Sequence, residues 1–520
     1  MIASPAHLAR LARAGFVFAR EGVFALVDTT RLPLPARAAV RLARIIERPT
    51  SRAAANRLAA ALTRLGPAYV KLGQFLATRP DVVGARLARD LETLQDKMAP
   101  FPQVEAERTV EAAFDKPLAK LFAEFGPATA AASIAQVHRA TVDGRSVAVK
   151  VLRPGVDRRL KIDLDAFTLV AHSAENISAE ARRLRLTEVV ETLRRTVAIE
   201  MDLRFEAAAL SEMAEQTRND PDFRVPAVDW DRTAREVLTL EWIEATPLSD
   251  RAQLQAKGFD LKRLAAAVIQ TFLRHALRDG FFHADMHPGN LFVDDAGELV
   301  AVDFGIMGRL APKERRFLAE ILLGFITRNY RRTAEVHFEA GYVPGHHSIE
   351  SFAQAIRAIG EPIHNRTAEE ISMARLFLLL FEVTGLFDMR TRPELLLLQK
   401  TMVVVEGVAR SLDPKLDMWR VAEPIVREWI ERNLGLAGRL EGATEGAFEV
   451  GRVLGETPAL LARGAALVEQ LDAITRDGLV LAPETVAEIG RAEARRNRWT
   501  AVALWLIVAL LAWLIYLVAT

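Results

Sequence analysis

The chain has 520 residues, 50% of them hydrophobic and 26% charged, a composition that buries one large core or two linked ones and is neither disordered nor fibrous. Its 68 Lys and Arg nearly cancel 67 Asp and Glu, and no basic stripe with interleaved aromatics is present, so nucleic acid is not an expected partner. The absence of cysteine excludes disulfides, thiolate zinc sites, iron–sulfur clusters and a cysteine nucleophile, so any metal must be held by oxygen or imidazole.

Residues 1–125 alternate Ala, Leu and Arg at helical spacing and are punctuated by Pro33, Pro35, Pro49, Pro67, Pro80, Pro100 and Pro102, which predicts several short helices in an N-terminal extension. Arg20 and Glu21 break the apolar stretch 16–27, which also lacks a clear cleavage site, so no secretory signal is expected and the body of the protein is placed in the cytoplasm. At Gly126-Pro127 the pattern changes. QVHRATV and RSVAVKV flank Asp143-Gly144, a pair that tolerates positive φ at both turn positions, and this predicts a β-hairpin.

A long helix is predicted from about Thr187, with Val190, Leu193, Val197, Met201 and Phe205 at steps of three and four. A strand follows over 236–243. Residues 126–245 thus read as a small mixed lobe and 246–430 as a helical lobe, interrupted by the apolar runs NLFVD and LVAVDFG. Helical segments are expected over 431–498. From 499 to 519 the sequence WTAVALWLIVALLAWLIYLVA carries no charge, and at ~1.5 Å per residue about 20 residues span a ~30 Å hydrocarbon core. It reads as a transmembrane helix. A buried core helix would need apolar contact all round, whereas Trp499, Trp513 and Tyr516 suit an interfacial belt. Arg495, Arg496 and Arg498 just before it are expected on the cytoplasmic side.

Phosphoryl transfer is mostly positioning and charge: carboxylates for metal, a lysine on the phosphates, and a group that orients the acceptor. Lys150 ends the alternating strand VAVK, which can aim its ammonium into a cleft, and Glu206 in EMDLRFEA is the candidate carboxylate to hold it. Alone, a strand lysine is usually a solvated surface group. The segment His283-Ala-Asp285-Met-His-Pro-Gly-Asn290 has the H-x-D-x-x-x-x-N spacing of a kinase catalytic loop, placing Asp285 toward an acceptor hydroxyl and Asn290 toward a metal. Thirteen residues beyond Asn290 stands Asp303-Phe304-Gly305, whose aspartate is the second metal candidate. A zinc site from His283, Asp285 and His287 is the rival use of this loop. The glycine-rich phosphate loop departs from the kinase pattern. Its G-x-G-x-x-G frame falls on Ala130, Ala131, Ala132, Ser133, Ile134 and Ala135, so all three glycines are alanine, which implies an altered nucleotide lid.

These residues resemble the UbiB family of atypical protein-kinase-like proteins, associated with ubiquinone biosynthesis and related to the mitochondrial coenzyme Q proteins. Lys71-Leu-Gly73-Gln74 matches the family's K-x-G-Q signature, residues 130–140 its alanine-rich loop and Q-V-H, and residues 150–156 its KVLRPGV. Glu200-Met-Asp202 matches its E-x-D signature. The resemblance implies an α+β, two-lobed kinase-like fold with a helical N-terminal extension and a C-terminal transmembrane helix. It implies a Mg²⁺-dependent, ATP-binding atypical kinase or ATPase supporting ubiquinone production at the bacterial inner membrane, with Lys150, Glu206 and Asp285 catalytic. Backbone around Glu241 and Ile243 would meet adenine, and Asn290 and Asp303 would hold Mg²⁺.

The resemblance further implies that the Lys71 segment folds over the active site and meets Glu200 and Asp202, making Lys71, Gln74, Glu200 and Asp202 regulatory. Spacing alone leaves those partners open, because Glu200 and Asp202 do not share a helix face whereas Asp202 and Glu206 do. Lys71 and Gln74 would otherwise read as a polar face on water. Expected partners are membrane lipid, polyprenyl-phenol quinone precursors and other ubiquinone biosynthesis proteins. Two rival functions are a small-molecule kinase of the aminoglycoside or choline type, and a nucleotide-binding scaffold without catalysis.

Overall fold

A computed structural model describes residues 5–435 apart from 27–39, 49–53, 363–382 and scattered positions at 42–43, within 78–97, and at 178, 384 and 390–392. Most of the expected 431–498 linker and the whole apolar stretch 499–519 lie outside the described residues. Among those described, no helix is long and apolar enough to cross a membrane.

Helices α1 (Pro5–Arg20), α2 (Ala54–Leu65), α3 (Pro67–Ala77) and α4 (Gln103–Phe114) precede the first strand, as the proline-punctuated pattern predicts. Strand β1 (Glu124–Ala131) leads into the expected hairpin of β2 (Ala135–Val142) and β3 (Arg145–Leu152), closed by the pairing of Val142 with Arg145. Asp143 (φ 49°) and Gly144 (φ 77°) both take the left-handed conformation, the two-residue turn whose twist matches the flanking strands. The chain continues through α5 (Val156–Ile177), α6 (Leu186–Glu200), α7 (Leu203–Gln216), β4 (Phe223–Arg224) and β5 (Val237–Glu241).

The single helix expected from Thr187 is two. Asp202 takes extended backbone, its carboxylate accepts from the Arg204 amide at 3.2 Å, and it caps α7, so side-chain capping overrides an apolar periodicity that runs on to Phe205. Phe205 is exposed as a result.

Strand β5 lies beside β3, giving an antiparallel sheet in the order β1-β2-β3-β5. The period-two pattern of β3 decides what each face does. Val147, Val149 and Val151 point to one side and are buried against Ala106 and Val110 of α4 with Phe122 and Val237. Each such side chain contributes about 1.5–3 kcal/mol of burial. Lys150 therefore points the other way, into the cleft. Helix α4, read from sequence as part of the extension, is thus the roof of this sheet.

On the cleft side, Leu238 and Leu240 of β5 join Leu203, Ala207 and Leu210 of α7 in the main core. Helices α1 and α3 dock on α5, where Arg10 binds the buried Asp163 carboxylate at 3.0 and 3.1 Å and Tyr69 meets Phe167 edge-on, ring centres 4.9 Å apart.

The second lobe contains β6 (Ala245–Pro247), α8 (Leu261–Arg274), β7 (Phe281–His283), β8 (Leu291–Asp294), β9 (Leu299–Ala301) and β10 (Met307–Arg309). Helices α9 (Pro312–Ile326), α10 (Tyr330–Glu339), α11 (Ile349–Gly360), α12 (Pro393–Leu412) and α13 (Met418–Leu434) follow. The short apolar runs become β8 and β9 within a sheet ordered β4-β9-β8-β6, and β7 pairs with β10, Met307 opposite His283. These strands bracket the two loops that carry the predicted chemistry.

Candidate nucleotide-binding site

Lys150 of β3, Glu206 of α7 and Asp303 after β9 meet. The Lys150 ammonium donates to both Glu206 oxygens at 2.8 and 2.9 Å and to Asp303 Oδ1 at 3.0 Å. The period-two placement of Lys150 and the position of Glu206 one turn into α7 bring the first two together. Asp303 is delivered by the reversal after β9, where it sits at φ 64°, a left-handed conformation that aspartate tolerates better than most residues. Glu206 is buried, whereas the Asp303 side chain is 51% exposed and faces the open cleft.

Charge sets the protonation states. The Lys150 ammonium, against the effect of burial, holds Asp303 down at about 2. Burial opposes the charged form of Lys150, but Asp303 and Glu206 outweigh it and push its pKa up. Burial first and then the Asp303 charge push Glu206 up, although Lys150 pulls the other way. Asp303 is therefore the ionised carboxylate that keeps a face toward the cleft.

The catalytic-loop residues are held by a closed set of hydrogen bonds. The Asp285 amide donates to His283 Nδ1 at 3.0 Å, which leaves the ring proton on Nε2 to donate to the Val302 carbonyl at 3.2 Å. Burial pushes the His283 pKa down, keeping the ring neutral. Val302 N returns a bond to the Asn290 carbonyl at 2.9 Å, joining the loop to the segment that carries Asp303. Thr401 of α12 donates to the Ala284 carbonyl at 3.0 Å, a support from far along the chain that spacing does not reveal.

Asn290 Nδ2 donates to the Asp285 carbonyl at 3.1 Å and to its carboxylate at 3.4 Å, leaving Asn290 Oδ1 without a hydrogen bond among the described residues. That amide oxygen and the Asp303 carboxylate are hard oxygen donors, which suits Mg²⁺. The zinc reading of this loop does not hold. His283 spends both ring nitrogens, His287 Nδ1 accepts from the Gly289 amide at 3.1 Å, and the three residues gather no ligand cluster among the described residues.

Lys71 of α3 reaches Glu200 at the end of α6, Nζ to Oε2 2.7 Å, and both side chains are nearly buried. The Lys71 charge also helps to lower the Asp303 pKa, so the extension brings a cation toward the cleft that holds Asp303. The Asp202 carboxylate binds the Arg204 guanidinium at 2.8 and 2.6 Å, while Glu206 turns to Lys150. Gln74 is half-buried and makes no hydrogen bond among the described residues.

Gly73 between them sits where helices touch, since a Cβ there would lie 2.6 Å from Leu94 Cδ2 and 2.8 Å from Leu62 Cδ1. At the hinge, the Glu241 amide already donates to the Ala227 carbonyl at 2.8 Å, and its carboxylate accepts from Arg224 at 3.2 Å and from the Ala227 amide at 3.2 Å. Among the described residues the Ile243 amide has no backbone acceptor.

The alanine-rich segment departs from a free lid. Ala130 and Ala131 pair with Val137 and Gln136 in the ladder, and the Ala132 amide donates to the Ala135 carbonyl at 2.8 Å, making a tight turn around buried Ser133. Arg153 pins that turn. Its guanidinium donates to the Ala132 carbonyl at 3.1 and 2.9 Å and to the Ala99 carbonyl at 2.8 Å. Arg153 lies in the KVLRPGV run, but nothing in its spacing announces this role. Gln136 ties the same region together, accepting from the Phe101 amide at 2.9 Å and donating to His138 Nε2 at 2.9 Å.

Comparison with known proteins identifies two domains. Residues 93–337 match the model of the ABC1 atypical kinase-like domain, and residues 356–417 match the UbiB helical domain. A protein of Marinobacter nauticus named probable protein kinase UbiB is 39% identical over 443 residues, 84% of this chain and 81% of its own length. The chain belongs to the UbiB family. UbiB proteins of Cellvibrio japonicus and Edwardsiella ictaluri carry the same name. The first is 41% identical, covering 72% of this chain and 69% of its own length; the second is 37% identical, covering 88% and 86%.

The kinase-like fold is also that of a Mycobacterium tuberculosis protein solved as the Rv3197–erythromycin complex. The TM-score is 0.52 at 24% identity, covering 75% of this chain and 98% of that one. The UbiB helical match contains α12, the helix whose Thr401 supports the catalytic loop.

Proposed function

We propose that this UbiB-family chain is a Mg²⁺-dependent, ATP-binding atypical kinase or ATPase that supports ubiquinone biosynthesis at a membrane. The observation that carries the reading is the Lys150 ammonium bridging Glu206 and Asp303 at 3.0 Å or less, in a cleft between a sheet lobe and a helical lobe. Bound ATP and Mg²⁺ supply a phosphoryl group with neutralised charge. Lys150 holds the phosphates, Glu206 orients Lys150, and Asn290 and Asp303 are the metal ligands. Asp285 positions the attacking hydroxyl or water, with Ile243 at adenine. Lys71, seated on Glu200 beside this cleft, supports an acceptor smaller than a folded protein. The uncharged stretch 499–519 anchors the chain beside polyprenyl-phenol precursors.

The direct test is phosphate release from Mg²⁺-ATP by the full chain in detergent. Lys150→Ala is expected to reduce turnover by about two orders of magnitude or more, as for loss of a group that acts on the transferred phosphoryl. Unchanged turnover in that variant removes the site assignment. A second measurement is the quinone profile of cells whose sole copy carries Asp303→Asn. Loss of ubiquinone with accumulation of an early polyprenyl-phenol supports the pathway, and a normal profile at normal protein level removes it.

A further inference from the structure

We propose that His346, His347 and Asp388 form a binding site for a divalent transition metal of the zinc class, remote from the nucleotide cleft and independent of it. His346 and His347 lie in the loop between α10 and α11, and Asp388 lies in the segment 385–389 that precedes α12. One ligand atom from each of the three falls within 4.8 Å of the others.

The spacing also fits a shared ion. Asp388 Oδ2 stands 3.4 Å from His347 Nε2 and 3.7 Å from His346 Nε2. The first is a long hydrogen bond, beyond the about 2.7–2.9 Å of a charge-assisted one, and the second is longer still. Ligands bound at about 2.0–2.2 Å around a tetrahedral ion are separated by roughly 3.3–3.6 Å along each edge, close to the two distances found. Two imidazoles and one carboxylate are a borderline donor set, which prefers Zn²⁺, Co²⁺ or Ni²⁺ over the all-oxygen ligation of Mg²⁺. Three protein ligands leave the fourth position to water.

The ligands are also carried on anchored backbone. Phe387, next to Asp388, is buried with Val343, Phe352 and Ile356 in a small core, and its ring meets Phe352 with centres 4.9 Å apart. The His347 ring rests on Phe387, centres 5.2 Å apart, while the His346 ring lies over His347 at 4.1 Å. One hydrophobic cluster thus fixes both ligand-bearing segments, and placing ligands on such a support is what lets a three-residue set bind without reordering. A bound ion would clip the loop ahead of α11 to the segment ahead of α12.

The test uses the full chain prepared without a histidine tag and titrated with Zn²⁺ against a chromophoric chelator, in excess Mg²⁺ and without nucleotide. Co²⁺ serves as the visible reporter of tetrahedral coordination. Two variants are expected to fold normally: His346→Ala, because the side chain is 65% exposed, and Asp388→Asn, because asparagine tolerates the φ of 48° found there. The expected result is one Zn²⁺ bound by the parent chain, at least about tenfold weaker binding in each variant, and loss of the Co²⁺ visible bands in both. Asp303→Asn should bind Zn²⁺ as the parent does. No Zn²⁺ binding by the parent, or binding that survives either substitution within about twofold, overturns the proposal.

Discussion

At the residue scale, the site is a competition of two carboxylates for one ammonium. Asp303 is held at about 2, below the ordinary carboxylate value near 3.9, because Lys150 stabilises its charged form. A depressed carboxylate adds stability above its unfolded value and loses it as pH falls through the folded value. The melting-temperature difference between the parent chain and Asp303→Asn is therefore expected to be flat from about pH 5 to 8, and to shift against the parent as pH falls from about 4 toward 2. A difference that varies steeply between pH 5 and 8 would contradict the assignment. That Lys150 meets Glu206 and Asp303, and Asp285 meets Asn290, follows order and spacing along the chain and was legible in the sequence. Arg153 was not, since its work is done on the Ala132 and Ala99 carbonyls, which its spacing does not reveal.

At the scale of elements, period-two and turn chemistry carried furthest. Val147, Val149 and Val151 alternate with Lys150 because a buried roof and a polar cleft lie on opposite sides of β3, and the Asp143-Gly144 turn fixes its register. Helical periodicity failed at Met201-Asp202, where apolar residues stay in step across a break that only the capping carboxylate creates. The K-x-G-Q helix has a packing reason that spacing did not show. Gly73→Ala would press a methyl into Leu62 and Leu94, and the ~1 kcal/mol that alanine gains in helix propensity does not offset overpacking of about 1–3 kcal/mol. A lower denaturant midpoint is expected, and an unchanged or higher midpoint would show that α3 has room to shift.

For the whole molecule, the kinase-like order of a sheet lobe then a helical lobe was legible, because composition and pattern change near Gly126 and again after residue 245. The support that α12 gives the catalytic loop was not legible, because it depends on two segments far apart in sequence meeting in space. The stretch 499–519 is expected to decide partitioning. Removal of residues 499–520 should move the chain from the membrane pellet to the supernatant after lysis without detergent, and full-length chain in that supernatant would remove the anchor.

The link from Thr401 to Ala284 also bears on the order of events at the ribosome, since 117 residues separate its ends and 153 separate Lys150 from Asp303. At roughly 5–20 residues per second, the nascent sheet lobe waits on the order of ten seconds or more for the carboxylate that completes its cleft. A further interval passes before α12 emerges to brace the catalytic loop. During the first interval Lys150 and Glu206 hold each other without the second carboxylate, and slow translation prolongs that incomplete state.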